Sequence, residues 1–377
     1  MKYPEDFINK IIQDDCIEVM KEMPDNSIDM CLTSPPYWGL RDYGVEQIFG
    51  GDKDCKHEWK NKIKGKKLRG TDTGYRKEIY PEIHLPDSNI CSKCGAWKGQ
   101  LGLEPTPEMY IEHMTMIFHE VKRVLKKEGT LWLNIGDTYS ASSTHASNSG
   151  ATYYDGISKS YGKDSGRDVR SEHKRFQDGL PQKCLCMIPE RLAWSLIQDG
   201  WILRNKIIWH KPNPMPSSVK DRFSNTWEYV YMFSQSKKYY FDLDAVREKH
   251  AESSIFRAMY PVGAFSPDTK DSHVKLSTKK NTDTVMVKIN PLGKNPGDVF
   301  EISTQPFPEA HSAVFPEKLC EKPIKAGSPK NGIVLDPFCG AGTACLVAKQ
   351  LGRYYIGIDI SGKYCEMARK RIGEWLF

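Results

Sequence analysis

The chain has 377 residues, enough for one large domain with insertions or for two domains. With 39% hydrophobic and 11% aromatic residues it can bury a real core, but its longest apolar runs, such as IVL and YYIGI near the C-terminus, are far too short to cross a bilayer. The net charge of +6 is mild, and an opening MKYPEDFINKII lacks the charged-then-apolar order of a secretory signal. The sequence thus predicts a soluble cytoplasmic protein with no membrane partner, whose 11 cysteines are mostly buried thiols rather than a disulfide framework.

The first elements are NKIIQDD, an apolar run ending in two acids; CIEVMKEM, with Ile17, Met20 and Met23 near helical spacing; and IDMCLT, an apolar run that stops at SPPY. Strand, helix, strand predicts a parallel pair, and ligands of doubly wound sheets sit at the carboxyl ends of such strands. Residues 56–69 then read KHEWKNKIKGKKLR, with cations at Lys56, Lys60, Lys62, Lys64, Lys66, Lys67 and Arg69, either a solvated loop or a strip for phosphates. Around this run, Cys55 and His57 form C-x-H, and Cys91 and Cys94 form C-x-x-C followed by Gly95. Four such ligands suit a tetrahedral structural zinc, which would give the polar segment 51–100 something to fold around. His84 is the alternative to His57, and four unrelated residues are the alternative to a metal site.

Residues 105–125 carry Tyr110, Met114, Ile117, Val121 and Leu125 at helical spacing, and TLWLNIGD reads as a buried strand ending at Asp137. Residues 138–180 are rich in Ser, Gly and Tyr and read as a long functional loop. IPERLAWSLIQDG predicts a helix closed by glycine, and WILRNKIIWHK a strand that leaves through the extended KPNPMPSS; His210 and Lys211 are candidate DNA contacts. Residues 217–310, with basic pairs at Lys237–Lys238 and Lys279–Lys280, read as a target-recognition region outside the sheet. Near the C-terminus, IVLDPFCGAGT is a strand running into a glycine loop, TACLVAKQLG a helix, and YYIGID a strand closed by Asp359, which follows Asp336 by 23 residues. That is close to the ~20 expected when one helix joins a glycine loop to an acid that holds ribose hydroxyls. The loop has Gly340 and Gly342 but neither GxGxxG nor the Lys-Ser/Thr of a P-loop, so a pyrophosphate is disfavoured. A nucleoside bearing a positive group fits better, with Asp336 facing the cation, and S-adenosylmethionine meets that description. The chain therefore reads as circularly rearranged, its last two strands holding the cofactor and its first two continuing the sheet. Asp15, with Asp14 as its substitute, would then lie beside Asp359 and accept from an adenine amine.

TSPPYW near one end, with DPFCGAGT and YIGIDIS near the other, resembles the β-class of DNA amino-methyltransferases, in which the catalytic half precedes target recognition and the cofactor half comes last. EGTLWLNIGDTY, IPERLAWSLIQDGWILRNKIIWHKPNPMP and HSAVFPEKL resemble further blocks of that class in the same order, so the resemblance spans nearly the whole chain. It implies an α/β fold: a Rossmann-like S-adenosylmethionine-dependent methyltransferase sheet, circularly permuted. Its catalytic half would be 1–50 with 101–216, its basic, zinc-binding insertion 51–100, its recognition region 217–310, and its cofactor half 311–377. It implies cofactor contacts from Asp15, Phe315, Glu317, Asp336, Pro337, Phe338, Gly340, Gly342, Thr343 and Asp359, with the FPE of 315–317 near the methionine end; helix capping is the other reading of Glu317. Members of the class carry an insertion similar to 51–100.

Ser-Pro-Pro-Tyr, at Ser34, Pro35, Pro36 and Tyr37, is typical of members that methylate cytosine at N4; Asp-Pro-Pro-Tyr is typical of adenine N6 members, the alternative reading. The exocyclic amine of cytosine is a poor nucleophile because its lone pair is delocalised, and acceptors aimed at its protons localise that pair. The Ser34 side chain and the Pro35 carbonyl are the expected acceptors, held by prolines that fix φ. Tyr37 offers a stacking face to a base flipped from duplex DNA, and Trp38 either extends the stack or plugs the core. Cytosine C5 chemistry would need a Pro-Cys nucleophile; none occurs, and Cys339 reads as a loop or core residue. The setting the resemblance implies is restriction-modification, with a cognate restriction endonuclease as a functional and not necessarily physical partner, or else phage protection. A catalytically inactive zinc-containing DNA-binding protein is the reading from another class.

Overall fold

The computed structural model describes residues 1–59, 89–140, 180–181, 183–259, 289–305 and 315–373. His84, the cations from Lys60 to Arg69, Lys279–Lys280 and nearly all of the 138–180 segment lie outside the described residues.

Ten strands and seven α-helices are described. The N-terminal strands are β1 (Lys10–Gln13) and β2 (Ile28–Thr33), joined through α1 (Cys16–Lys21). A short antiparallel pair follows, β3 (Gln47–Phe49) and β4 (Trp97–Gly99), clamping the base of the insertion. Then come α2 (Pro107–Val124), β5 (Leu125–Ile135), α3 (Ile188–Gln198), β6 (Ile202–His210), β7 (Trp227–Ser234), α4 (Glu252–Met259) and β8 (Val299–Glu301). The C-terminal part is α5 (Glu317–Gly327), β9 (Ile333–Asp336), α6 (Thr343–Gln350), β10 (Tyr354–Asp359) and α7 (Gly362–Ile372).

The eight-stranded sheet has the order β1-β10-β9-β2-β5-β7-β6-β8. From β1 to β5 every pairing is parallel; β7 is antiparallel to both β5 and β6. Neighbouring side chains of a strand face opposite sides, so Cys31 packs into one core layer while Met30 and Leu32 pack into the other. One layer is covered by α1, α2 and α3, the other by α5, α6 and α7. In α2 the hydroxyl of Thr106 caps the Met109 N–H at 3.2 Å, Pro107 sits where no N–H is needed, and Tyr110, Met114, Ile117 and Val121 form the buried stripe. Gly200, at φ +85°, turns the chain out of α3.

Two expectations are corrected. The N-terminal strands do not pair with each other: β10 and β9, from the other end of the chain, stand between them. Nor does all of 217–310 lie outside the sheet. WEYVYMFS of β7 fills a central position between β5 and β6, with Val230–Ser234 buried, and β8 forms the edge. The apolar side chains of β7 need cover on both faces, which only an interior strand provides.

Candidate active site

β2 and β9 are parallel neighbours, with Cys31 opposite Leu335, so the two motifs that follow them emerge side by side. Thr33, the last residue of β2, donates its hydroxyl to Asp336 Oδ1 at 2.6 Å, joining positions 303 residues apart. The Phe338 N–H reaches the same oxygen at 3.1 Å, and among the described residues nothing donates to Oδ2. Asp336 is 1% exposed; desolvation, opposed by these two donors and reinforced by Asp359, lifts its carboxyl to about 7.

The glycine loop is tied to the acid that was expected to serve it: Gly340 N–H donates to Asp359 Oδ2 at 2.9 Å and Ser361 N–H to Oδ1 at 2.8 Å. Gly342 has φ +73°, and a Cβ there would lie 2.9 Å from that of Ala368, so the α6–α7 contact requires glycine. Pro337 and Phe338 follow β9, with Phe338 packed against the core layer that also holds Tyr37. Cys339 is buried and desolvation pushes its thiol well above the usual range, in keeping with an inert packing residue. Arg371, on α7, bridges two expected residues: it donates to Thr343 Oγ1 and to Glu317 Oε1, each at 2.7 Å. Phe315 stands just before α5 and packs partly buried on the opposite core layer.

Asp15 lies two residues beyond Gln13, which pairs with Asp359. Its Oδ1 caps α1 through the Ile17 and Glu18 N–H groups, at 2.8 and 3.2 Å, and its Oδ2 accepts from Gln47 Nε2 at 2.5 Å. An adenine amine would share an oxygen already in use. Asp14 is exposed and accepts the Asp15 N–H at 2.8 Å.

In the SPPY turn, Pro36 O accepts the Tyr110 hydroxyl at 2.8 Å, whereas among the described residues nothing donates to Pro35 O. Ser34 Oγ lies 3.4 Å from both Tyr37 Oη and Asn134 Oδ1. Tyr37 Oη is 3.1 Å from Asn134 Oδ1 and donates to Glu228 Oε2 at 3.0 Å. Asn134 Nδ2 faces the Tyr229 carbonyl at 2.9 Å, which can only accept, so its Oδ1 must face the two hydroxyls. Lys211 pairs with Glu228 and lies over the Trp209 ring, 4.3 Å from its centroid. Gly136 packs under Tyr37: a Cβ there would be 2.6 Å from the ring. Trp38 is buried and donates to Glu104 O at 3.0 Å, so it plugs the core. Behind the turn, the buried Glu104 carboxylate accepts from Gly102 N–H at 2.8 Å and contacts His113 Nδ1 at 3.0 Å. The His113 ring stacks on Phe49 and Trp97, 4.4 and 5.3 Å away between centroids.

Cys55, His57, Cys91 and Cys94 come together with all four ligand atoms within 4.8 Å of one another. Cys55 Sγ and Cys91 Sγ are 3.9 Å apart, and Cys94 Sγ lies 3.3 Å from His57 Nδ1. A tetrahedron with Zn–S bonds of about 2.3 Å has edges of about 3.8 Å, so the donor set fits zinc in both spacing and chemistry. Against the upward push of desolvation, backbone N–H groups of Cys94 and Lys93 and the His57 ring bring the buried Cys91 thiol down to about 5, which favours the thiolate that a metal needs. Cys55 is pushed up to about 12 by desolvation and by its neighbouring sulfurs, the proton a bound cation would expel.

A sheet in which the head of the chain supplies a rigid S-P-P-Y turn and its tail a DPFCG loop defines an S-adenosylmethionine-dependent methyltransferase fold in circularly permuted order. The family model described as DNA methylase, of N6/N4 type, matches residues 28–370, and the chain belongs to that family. It is 32% identical over 363 residues to the type II methyltransferase M.SmaI of Serratia marcescens, covering 96% of this chain and 90% of the relative. It is 31% identical to M.Cfr9I of Citrobacter freundii, covering 96% and 87%. The fold is similar to that of the solved PvuII DNA methyltransferase (cytosine-N4-specific), with a TM-score of 0.53 at 16% identity, covering 96% of this chain and 85% of that one. The resemblance seen in the sequence therefore holds, and the chain is a DNA methyltransferase of the N6/N4 class. Among the described residues no helix is long and apolar enough to cross a membrane.

Proposed function

We propose that this enzyme transfers the methyl group of S-adenosylmethionine to N4 of a cytosine flipped out of duplex DNA. The observation that carries the reading is the meeting of Ser34–Tyr37 with the Asp336–Phe338 loop across the Thr33–Asp336 bond. In the step itself the amine nitrogen bonds to the methyl carbon, the carbon–sulfur bond breaks to leave a thioether, and the nitrogen releases one proton to water. Ser34 Oγ and Pro35 O accept from the amine, and Tyr37 supports the base. Asp336 faces the sulfonium, Asp359 holds the ribose, Gly340 and Gly342 let the backbone approach, and Pro337, Phe338, Thr343, Phe315 and Glu317 line the rest. Asp15 caps α1 beside the adenine. Ser34, rather than aspartate, at the head of the turn favours cytosine over adenine.

The Cys55/His57/Cys91/Cys94 group holds one structural zinc, which anchors the basic insertion. Target reading is assigned to the parts of 217–310 outside the sheet. The relatives are type II methyltransferases, which supports a cytoplasmic restriction-modification role opposite a cognate endonuclease. The test is to express the chain in cells lacking DNA methylation, digest their DNA to nucleosides and identify the modified base by mass spectrometry. N4-methylcytosine is expected; N6-methyladenine would transfer the same site to adenine, and no modified base would overturn the reading. Sequencing that maps the modified positions then defines the recognition site.

A further inference from the structure

The loop between β6 and β7 lies on the same sheet edge as the SPPY turn, because β7 runs antiparallel to β5 and begins where the parallel strands end. Glu228, the second residue of β7, accepts from Tyr37. The base of the loop is closed by Lys211 N–H donating to Thr226 O at 2.7 Å. Further out, the Arg222 guanidinium lies over the Tyr139 ring, 3.9 Å from its centroid, and donates to Asn225 Oδ1 and Phe223 O, each at 3.2 Å. Lys183 and Asp221 form an ion pair at 2.7 Å. The loop is thus braced on both sides, yet it holds the Phe223 side chain 97% exposed. Single exposed apolar residues are ordinary on a surface. Phe223 has company: Met215 and Trp227, 57% and 45% exposed, flank it on the same edge, with Lys220 and Arg222 between them.

We propose that Phe223 is a wedge that enters the base stack of duplex DNA at the target nucleotide and occupies the gap left when the base turns into the SPPY pocket. A ring on a braced loop can replace lost stacking, while Lys220 and Arg222 meet the phosphates on either side. The proposal rests on the flipped-base reading above and names the residue that sustains it.

The test compares two oligonucleotide duplexes bearing the mapped recognition site: one fully paired, one with the target base opposite a mismatch, whose extrusion costs less. Phe223→Ala lowers kcat/KM by about tenfold or more on the paired duplex, and by less than about threefold on the mismatched one. Phe223→Leu, which keeps an apolar plug, recovers part of the loss. Affinity for S-adenosylmethionine is unchanged, and the exposed position leaves Tm unchanged. Fluorescence of 2-aminopurine placed at the target rises on wild-type binding and less so with Phe223→Ala. An equal loss on both duplexes, or none on either, overturns the wedge and leaves methyl transfer standing. A wild-type protein that methylates neither duplex overturns methyl transfer and the wedge with it.

Discussion

If the sulfonium of the cofactor faces the buried Asp336, as proposed, cofactor binding depends on pH. In the cofactor-free protein its carboxyl sits near 7, raised chiefly by desolvation. The folded chain therefore holds a proton between about pH 4 and 7 that the unfolded chain has released, and the cost of the buried charge is felt fully only above about 7. At roughly 1.4 kcal/mol per unit over the rise from 3.8 to about 7, that cost has an upper bound of about 4–5 kcal/mol. A sulfonium beside Oδ2 favours the carboxylate, so binding below pH 7 must expel the proton, and affinity rises with pH before levelling above it. With a single group near 7, Kd for S-adenosylmethionine weakens about tenfold from pH 8 to pH 6. Asp359 is also raised by burial and lies close by, so the substitution must isolate Asp336. Asp336→Asn keeps the oxygen that Thr33 and Phe338 bind. It flattens the slope and weakens binding at pH 8 by about 10²-fold, the scale expected when a desolvated charge pair is broken. It also removes a buried charge, so Tm of the cofactor-free protein at pH 8 rises. Titration calorimetry across pH 6–8 reads the affinities. A wild-type Kd that is flat over that range, or a variant with the same slope, refutes a cation facing Asp336.

Ser34→Ala lowers kcat by about 10²-fold, as loss of a transition-state hydrogen-bond partner does, while Kd for the cofactor stays constant; single-turnover kinetics beside calorimetry separates the two, and an equal loss of both would make Ser34 structural. Gly136→Ala pushes a methyl group to within 2.6 Å of the Tyr37 ring, so the ring moves, stability drops by about 1–3 kcal/mol, and turnover falls while the cofactor still binds; chemical denaturation and kinetics together check it. Cys94→Ser abolishes zinc retention, from about one equivalent to none by elemental analysis, and speeds limited proteolysis at 51–59 and 89–100, the described segments that carry the four ligands.

The site was legible where chemistry sits at the end of a strand. TSPPY and DPFCG each close an apolar run, and the C-x-x-C knuckle announces itself by spacing. Asn134, Glu228 and Arg371 were not legible as site residues. Asn134 and Glu228 reach Tyr37 from 97 and 191 residues away, and pairing at that range is fixed by sheet order rather than by local pattern. A signal did exist for Glu228: a charge within the run WEYVYMF needs a partner. The run lies within 217–310, a stretch of alternating polar and short apolar pieces that reads as an insertion outside the sheet. Only the antiparallel register against β5 and β6 reveals a core strand. Glu104 and His113 were likewise unreadable, since what recruits them is the Phe49–His113–Trp97 stack.

The strand order has a consequence for synthesis. β1 and β2 are made first, but the places between them are taken by residues 333–359. A nascent chain on the ribosome thus carries a sheet with its middle missing, and its most distant contacts close last. Until those strands arrive, the SPPY turn has no DPFCG loop beside it, so a stalled or truncated chain lacks the half of the sheet to which cofactor binding is assigned.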